Sequence, residues 1–189
     1  MENAYLHYIT NNTEYSKIIL DYLTKIESLL LEIEEHLVTN EKNTDYYWHM
    51  TQMENTLNHI LINTSQLKLN NVHLYRIIKQ TTPQPSNTYL ENNTFYIEEL
   101  QKKLPKFRVS FICYDSYIHL LLHKAEQSKA KKTNLKTLLR TIHFYNLTII
   151  DTVNELKANN DCFTKHYLQK IAEIKCNECP NEILKRHEP

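Results

Sequence analysis

Residues 46–78 decide the fold, and they read YYWHMTQMENTLNHILINTSQLKLNNVHLYRII. Mostly apolar side chains recur here at alternating steps of four and three: Tyr46, Met50, Met53, Leu57, Ile60, Thr64, Leu67, Asn71, Leu74 and Ile78. Because an α-helix turns once every 3.6 residues, this spacing predicts a long amphipathic helix with a coiled-coil-like seam. Pro83 and Pro85 then break the pattern, since proline lacks a backbone donor and forces extended neighbours.

Three further stripes have the same spacing, and short polar connections separate them. They run from Tyr5 to Leu37, from Leu90 to Ala125 and from Leu135 to Leu156. Short connections favour antiparallel neighbours, so we predict an all-α protein, a long antiparallel up-down-up-down four-helix bundle. The domain is predicted to span 1–175, as hairpins 1–82 and 88–175, with 176–189 as a C-terminal tail.

Local signals set the predicted helix boundaries. A capping box from Thr88 to Glu91 opens the third helix, and Thr133 is the predicted cap of the fourth. Pro105 predicts either a kink in the third helix or two separate helices. The polar stretch 157–161 predicts an interruption of the fourth helix.

The chain of 189 residues contains no glycine. Phosphate-binding loops, dinucleotide-binding turns and nucleophile elbows need glycine where the backbone turns sharply or crowds a ligand. The spacings of di-iron bundles and of the helical metallopeptidase motif are also absent, so we expect no enzyme and no cofactor. Asn40, Asn159 and Asn160 are the predicted substitutes for glycine at helix ends.

Without a signal peptide or a membrane span in the sequence, we expect a cytoplasmic protein.

Charge is unevenly divided although the net charge is zero. Residues 1–100 carry 6 Lys and Arg against 13 Asp and Glu, and the basic excess peaks within 102–140. Either the acidic and basic hairpins pack together, or the basic segment binds the phosphates of DNA. The candidate nucleic-acid-binding residues are Lys102, Lys103, Lys106, Arg108, Lys124, Lys129, Lys131, Lys132, Lys136 and Arg140.

Two groups of residues could hold a metal, and for both the incidental interpretation is favoured. The first comprises five histidines predicted at one end of the bundle: His36, His49, His119, His123 and His143. Each lies beside its seam and no carboxylate is obviously placed to support it, which predicts surface histidines. The second is Cys176 and Cys179, a single C-x-x-C that would need His187 and a fourth ligand, either Cys162 or His166, to complete a zinc site.

Paired asparagines recur at 11–12, 70–71, 92–93 and 159–160. In an up-down bundle all four pairs fall toward the same end, where they could form a polar layer that fixes register. Chance pairing in an asparagine-rich chain is the favoured interpretation, since such pairs also mark helix ends.

Within about 95–168 the chain carries two ordered motifs, which are Pro105, Lys106 and Phe107 with Ile112 and Tyr114, and then Phe144, Tyr145, Asn146 and Leu147. This order resembles the RteC family, regulators carried by conjugative elements of Bacteroidetes. The match is loose, because Leu104 separates Lys103 from Pro105 and the paired tyrosine of the family is a single Tyr114. The winged-helix-like DNA-binding part of that family has no counterpart after Leu168.

The sequence therefore predicts a non-enzymatic helical binding protein. The resemblance implies a DNA-associated regulator of a mobile element, with DNA held by the basic 102–140 segment. The alternative is a protein–protein interaction or scaffold bundle, with a protein partner or a homo-oligomer and no nucleic acid. No membrane association is expected.

Overall fold

The computed structural model describes the backbone of residues 2–39, 45–80, 88–123 and 129–184, and the side chains of 5–35, 46–79, 88–119 and 134–173. Four α-helices occupy these ranges: α1 (Glu2–Thr39), α2 (Asp45–Gln80), α3 (Thr88–His123) and α4 (Lys129–Leu184). All of the described residues are helical, which confirms the predicted all-α class.

The helices form a ring in which each one packs against two neighbours. α1 packs against α2 and α4, and α3 packs against the same two helices, whereas within the described residues the backbones of diagonal helices are not close neighbours. Consecutive helices are antiparallel: Glu32 near the end of α1 bonds His49 near the start of α2, whereas Tyr8 stacks on His73 at the opposite end. The predicted up-down-up-down four-helix bundle is confirmed, and α2 with α3 is its least closely packed pair.

The boundaries of α4 differ from the prediction. This helix begins at Lys129, ahead of the predicted cap Thr133, and runs unbroken for 56 residues to Leu184. The predicted interruption at 157–161 was wrong, because Asn159 and Asn160 bond into the bundle instead of ending a helix. The glycine-substituting role predicted for these two residues was therefore also wrong, and Asn40 lies outside the described residues.

Pro105 lies within a continuous helix. α3 passes through it as one element of 36 residues, so the alternative of two separate helices is excluded. The Pro105 side chain is exposed, and its ring therefore takes no place in the core.

A polar layer divides the core. A large apolar cluster extends from Ile19 toward the end of the bundle where α1 connects to α2. A smaller apolar cluster, which includes Tyr5 and Phe163, fills the opposite end. Between them lie four buried asparagines, one from each helix: Asn12, Asn71, Asn93 and Asn160. The chance interpretation of the paired asparagines was wrong, because these side chains form a structural layer.

None of the described helices combines the length and the apolar character that crossing a membrane requires.

Candidate interaction surface

The predicted DNA-binding lysines of α3 have different roles in the structure. Lys103 is half-buried, and its Nζ donates to the carbonyl oxygen of Thr148 at 3.2 Å and to Oγ1 of Thr152 at 2.7 Å. It therefore ties α3 to α4 instead of facing solvent. Lys102 is exposed and donates to Glu99 Oε1 at 2.9 Å, a hydrogen bond that raises the pKa of the Lys102 ammonium. Lys106 and Arg108 are exposed.

Lys136, one of the predicted basic residues of α4, lies beside an acidic helix. His143 Nδ1 is 3.1 Å from Glu27 Oε1 on α1. Lys136 precedes His143 by one heptad and Glu34 follows Glu27 by one heptad, so the antiparallel register sets Lys136 beside the acidic end of α1. The described part of the chain thus supports the interpretation in which an acidic hairpin packs against a basic one.

Of the other predicted cations, only Arg140 has a described side chain. Arg140 is exposed on α4. Lys124 lies outside the described residues, as do the side chains of Lys129, Lys131 and Lys132 in the first turn of α4.

The histidines are more closely partnered than the sequence predicts. His49 is buried with only 4% of its surface exposed, and its Nε2 lies 2.6 Å from Glu32 Oε2. The predicted surface position of His49 was wrong, and so was the expectation that no carboxylate supports these residues. His143 is half-buried against Glu27, and His119 lies 3.8 Å from Asp115.

The described histidines of this group lie on different seams of the bundle. His49 sits between α1 and α2, whereas His143 sits between α1 and α4. Across the residues whose side chains are described, no group of three or more His, Cys, Asp or Glu could hold an ion. The side chains of His36, His123, Cys176 and Cys179 are outside that set, and Cys162 is exposed.

The seam between α2 and α3 is the feature that the sequence analysis missed. On α2, the heptad positions that face α1 are buried or half-buried, as at His49, Asn63 and Asn70, whereas most of those that face α3 are exposed. The exposed positions on the two walls of this seam are Tyr47, Glu54, Lys68 and Tyr75 on α2, and Thr94, Gln101 and Arg108 on α3. The equivalent positions of the other three seams are mostly buried or half-buried. We call this surface the open seam.

A groove of about 380 Å³ lies in the open seam at the level of the asparagine layer. Asn71 Nδ2 donates to Thr94 Oγ1 at 2.8 Å on its floor, and Lys68 Nζ reaches Gln101 Oε1 at 3.5 Å. Tyr75 and Arg76 belong to its α2 wall, and Glu98 belongs to its α3 wall. The groove is open to solvent along one side, unlike the enclosed pocket that holds a small ligand.

Large apolar side chains are concentrated on the same two helices. Among the described side chains thirteen are exposed and apolar, of which α2 carries six and α3 carries three: Tyr47, Trp48, Ile62, Leu69, Val72 and Tyr75, then Phe95, Val109 and Ile112. The remaining four are Leu31, Phe144, Leu147 and Leu168, divided between α1 and α4. Since a patch of exposed apolar side chains marks an interaction site more often than scattered ones do, this concentration singles out the α2–α3 surface.

Comparisons with protein-family models, with curated proteins and with solved structures found no match. The RteC resemblance therefore stays a prediction.

Proposed function

We propose that this protein is a non-enzymatic helical binding module that recognises another protein through the open seam. The observation that carries the proposal is the coincidence of three features on α2 and α3: the exposed seam positions, the groove and most of the exposed apolar side chains. An interface core is enriched in aromatic and apolar side chains within a polar rim. Tyr75 and Val72 beside Lys68 and Glu98 have this composition.

Site-specific photo-crosslinking tests the proposal. A benzophenone amino acid at Val72, on the open seam, should give a discrete adduct in cells that produce the protein. The matched control replaces Asp151, which is exposed on the outer surface of α4. Adducts of equal yield from both positions, or none from Val72, would contradict recognition through the open seam.

DNA-associated regulation is the second candidate, and exposed cations on α3 favour it. Lys102, Lys106 and Arg108 lie within two turns and all reach solvent. Such contacts would release counterions, so the affinity for duplex DNA should fall steeply as salt rises.

Fluorescence anisotropy with a labelled duplex measures that affinity. Replacing Lys102, Lys106, Arg108 and Lys136, all of which are exposed, by Glu should abolish binding if the basic segment holds DNA. Binding that survives the four replacements contradicts this role, and wild-type protein that leaves the duplex unbound at low salt removes the candidate altogether.

A further inference from the structure

We propose that the partner on the open seam is a second copy of this chain, related by a two-fold axis parallel to the helices. The inference rests on the proposed function and names the partner that the open seam recognises. It is carried by the way charged and apolar side chains are distributed over the two walls.

The two walls are held in a defined register within one copy. Asn71 on α2 bonds Thr94 on α3, and the long side chain of Lys68, one turn earlier on α2, reaches Gln101, two turns later on α3. Rotation by 180° about an axis parallel to the bundle brings α2 of one copy opposite α3 of its partner without changing the height of any residue. Residues level with each other inside one copy therefore become neighbours across such a dimer.

Charges at those levels have opposite signs on the two walls. α2 presents Lys68 and Arg76, and α3 presents Glu98 and Glu91 at the matching heights, all four exposed. In the part of the chain that is described, no ion pair joins Lys68 or Arg76 to either glutamate across the groove. The rotation sets Lys68 opposite Glu98 and Arg76 opposite Glu91, and it does so twice by symmetry.

Exposed apolar side chains also lie at matching heights on the two walls. Leu69 and Val72 on α2 are 50% and 41% exposed, and Phe95, level with them on α3, is 57% exposed. The rotation brings the aliphatic pair of each copy against the phenyl ring of the other. The available area is adequate, because two 36-residue helices about 54 Å long and about 10 Å apart span on the order of 1,000 Å². A standard stable interface needs about 800 Å² per partner.

Sedimentation velocity of the full chain, with two charge-reversed variants, tests the arrangement. Wild-type protein should be dimeric, and Lys68→Glu/Arg76→Glu should be monomeric because four glutamates meet on each side. Glu91→Lys/Glu98→Lys should be monomeric for the equivalent reason. An equimolar mixture of the two variants should contain heterodimer, since each α2 wall of one then complements an α3 wall of the other.

Two controls separate loss of the interface from loss of the fold. Glu155→Lys/Lys165→Glu changes two exposed charges on the outside of α4 and should leave the dimer intact. Circular dichroism should show wild-type helicity for every variant, because all six positions are exposed.

Wild-type protein that stays monomeric over the accessible concentration range overturns the inference, as does a dimer that neither charge reversal weakens. Two monomeric variants that fail to recombine overturn the two-fold arrangement. If the protein is monomeric while Val72 crosslinks a chain of different mass, only this inference fails and the proposed function stands. If it is monomeric and Val72 gives no adduct, both fail.

Discussion

Asn93 on α3 donates a hydrogen bond from Nδ2 to Oδ1 of Asn160 on α4, at 2.8 Å and 67 positions along the chain. Both side chains are fully buried. Asn159 Nδ2 adds a 2.6 Å bond to Asn93 Oδ1, so Asn93 uses both ends of its amide. Buried asparagines lower stability relative to apolar residues, but the bonded amides of Asn93, Asn159 and Asn160 disfavour every register of α3 and α4 that would separate them.

Replacing Asn93 by Ala should lower the free energy of unfolding by about 1–3 kcal/mol. The substitution removes the donor to the buried Oδ1 of Asn160 and leaves that oxygen without a partner, which costs more than the bond itself contributes. Urea denaturation measures the change, with the exposed Asn154→Ala as control. A loss equal to that of the control would contradict a structural role for the layer.

Replacing Glu27 by Ala should destabilise the protein by about 1–3 kcal/mol, because it removes the hydrogen-bond partner of one buried and one half-buried side chain. Its carboxylate accepts from Asn146 Nδ2 at 2.9 Å and lies 3.1 Å from His143 Nδ1. The matched change is Glu14→Ala, since Glu14 forms only an exposed ion pair with Lys17. We expect that variant to stay within about 0.5 kcal/mol of wild type. Similar losses for both would show that Glu27 acts only as a surface charge.

Stability should fall above about pH 10, where an unfolded tyrosine ionises. Burial, followed by the negative charge of Tyr114 and Asp115, raises the pKa of Tyr46 far above its ordinary range. Burial also raises the pKa of Tyr114, with Glu34 adding to the effect. Because the folded state holds both phenols neutral, their contribution is complete below that pH and is lost as pH rises, by up to about 1.4 kcal/mol per pH unit for each.

Chemical denaturation at a series of pH values tests this expectation. The double variant Tyr46→Phe/Tyr114→Phe should lose stability less steeply above about pH 10 than wild type. Tyr75→Phe, a change at an exposed ring, should follow the wild-type curve. An unchanged slope in the double variant would assign the alkaline loss to other groups.

Replacing Pro105 by Ala should raise the midpoint of thermal unfolding. Proline in a helix interior removes one backbone hydrogen bond and crowds the preceding turn, at a cost of about 3 kcal/mol in an unstrained helix. The side chain is exposed, so the alanine leaves no cavity. A lower midpoint for Pro105→Ala would mean that α3 requires the local geometry that proline imposes.

Parts of the functional surface could have been found in the sequence. α2 holds only five charged residues in 36, and Tyr47 and Tyr75 stand at positions flanking its stripe, which is unusual for a helix facing solvent. The apolar positions of α2 alone do not determine which side of that stripe is covered by a neighbouring helix and which side stays exposed. The role of Lys103 was equally hidden, because a lysine beside a seam has the same spacing whether it bonds a threonine pair or points into water.

The sequence by itself determined the helical class, the number of helices and their up-down order. Those properties follow from the 3.6-residue period and from breaks at proline and polar segments, which are local signals. Only the tertiary structure decided that the asparagine pairs form a layer, that His49 is buried on Glu32, and that one seam of four is open. Each depends on which residues of different helices lie side by side, and periodicity within one helix carries no information about that.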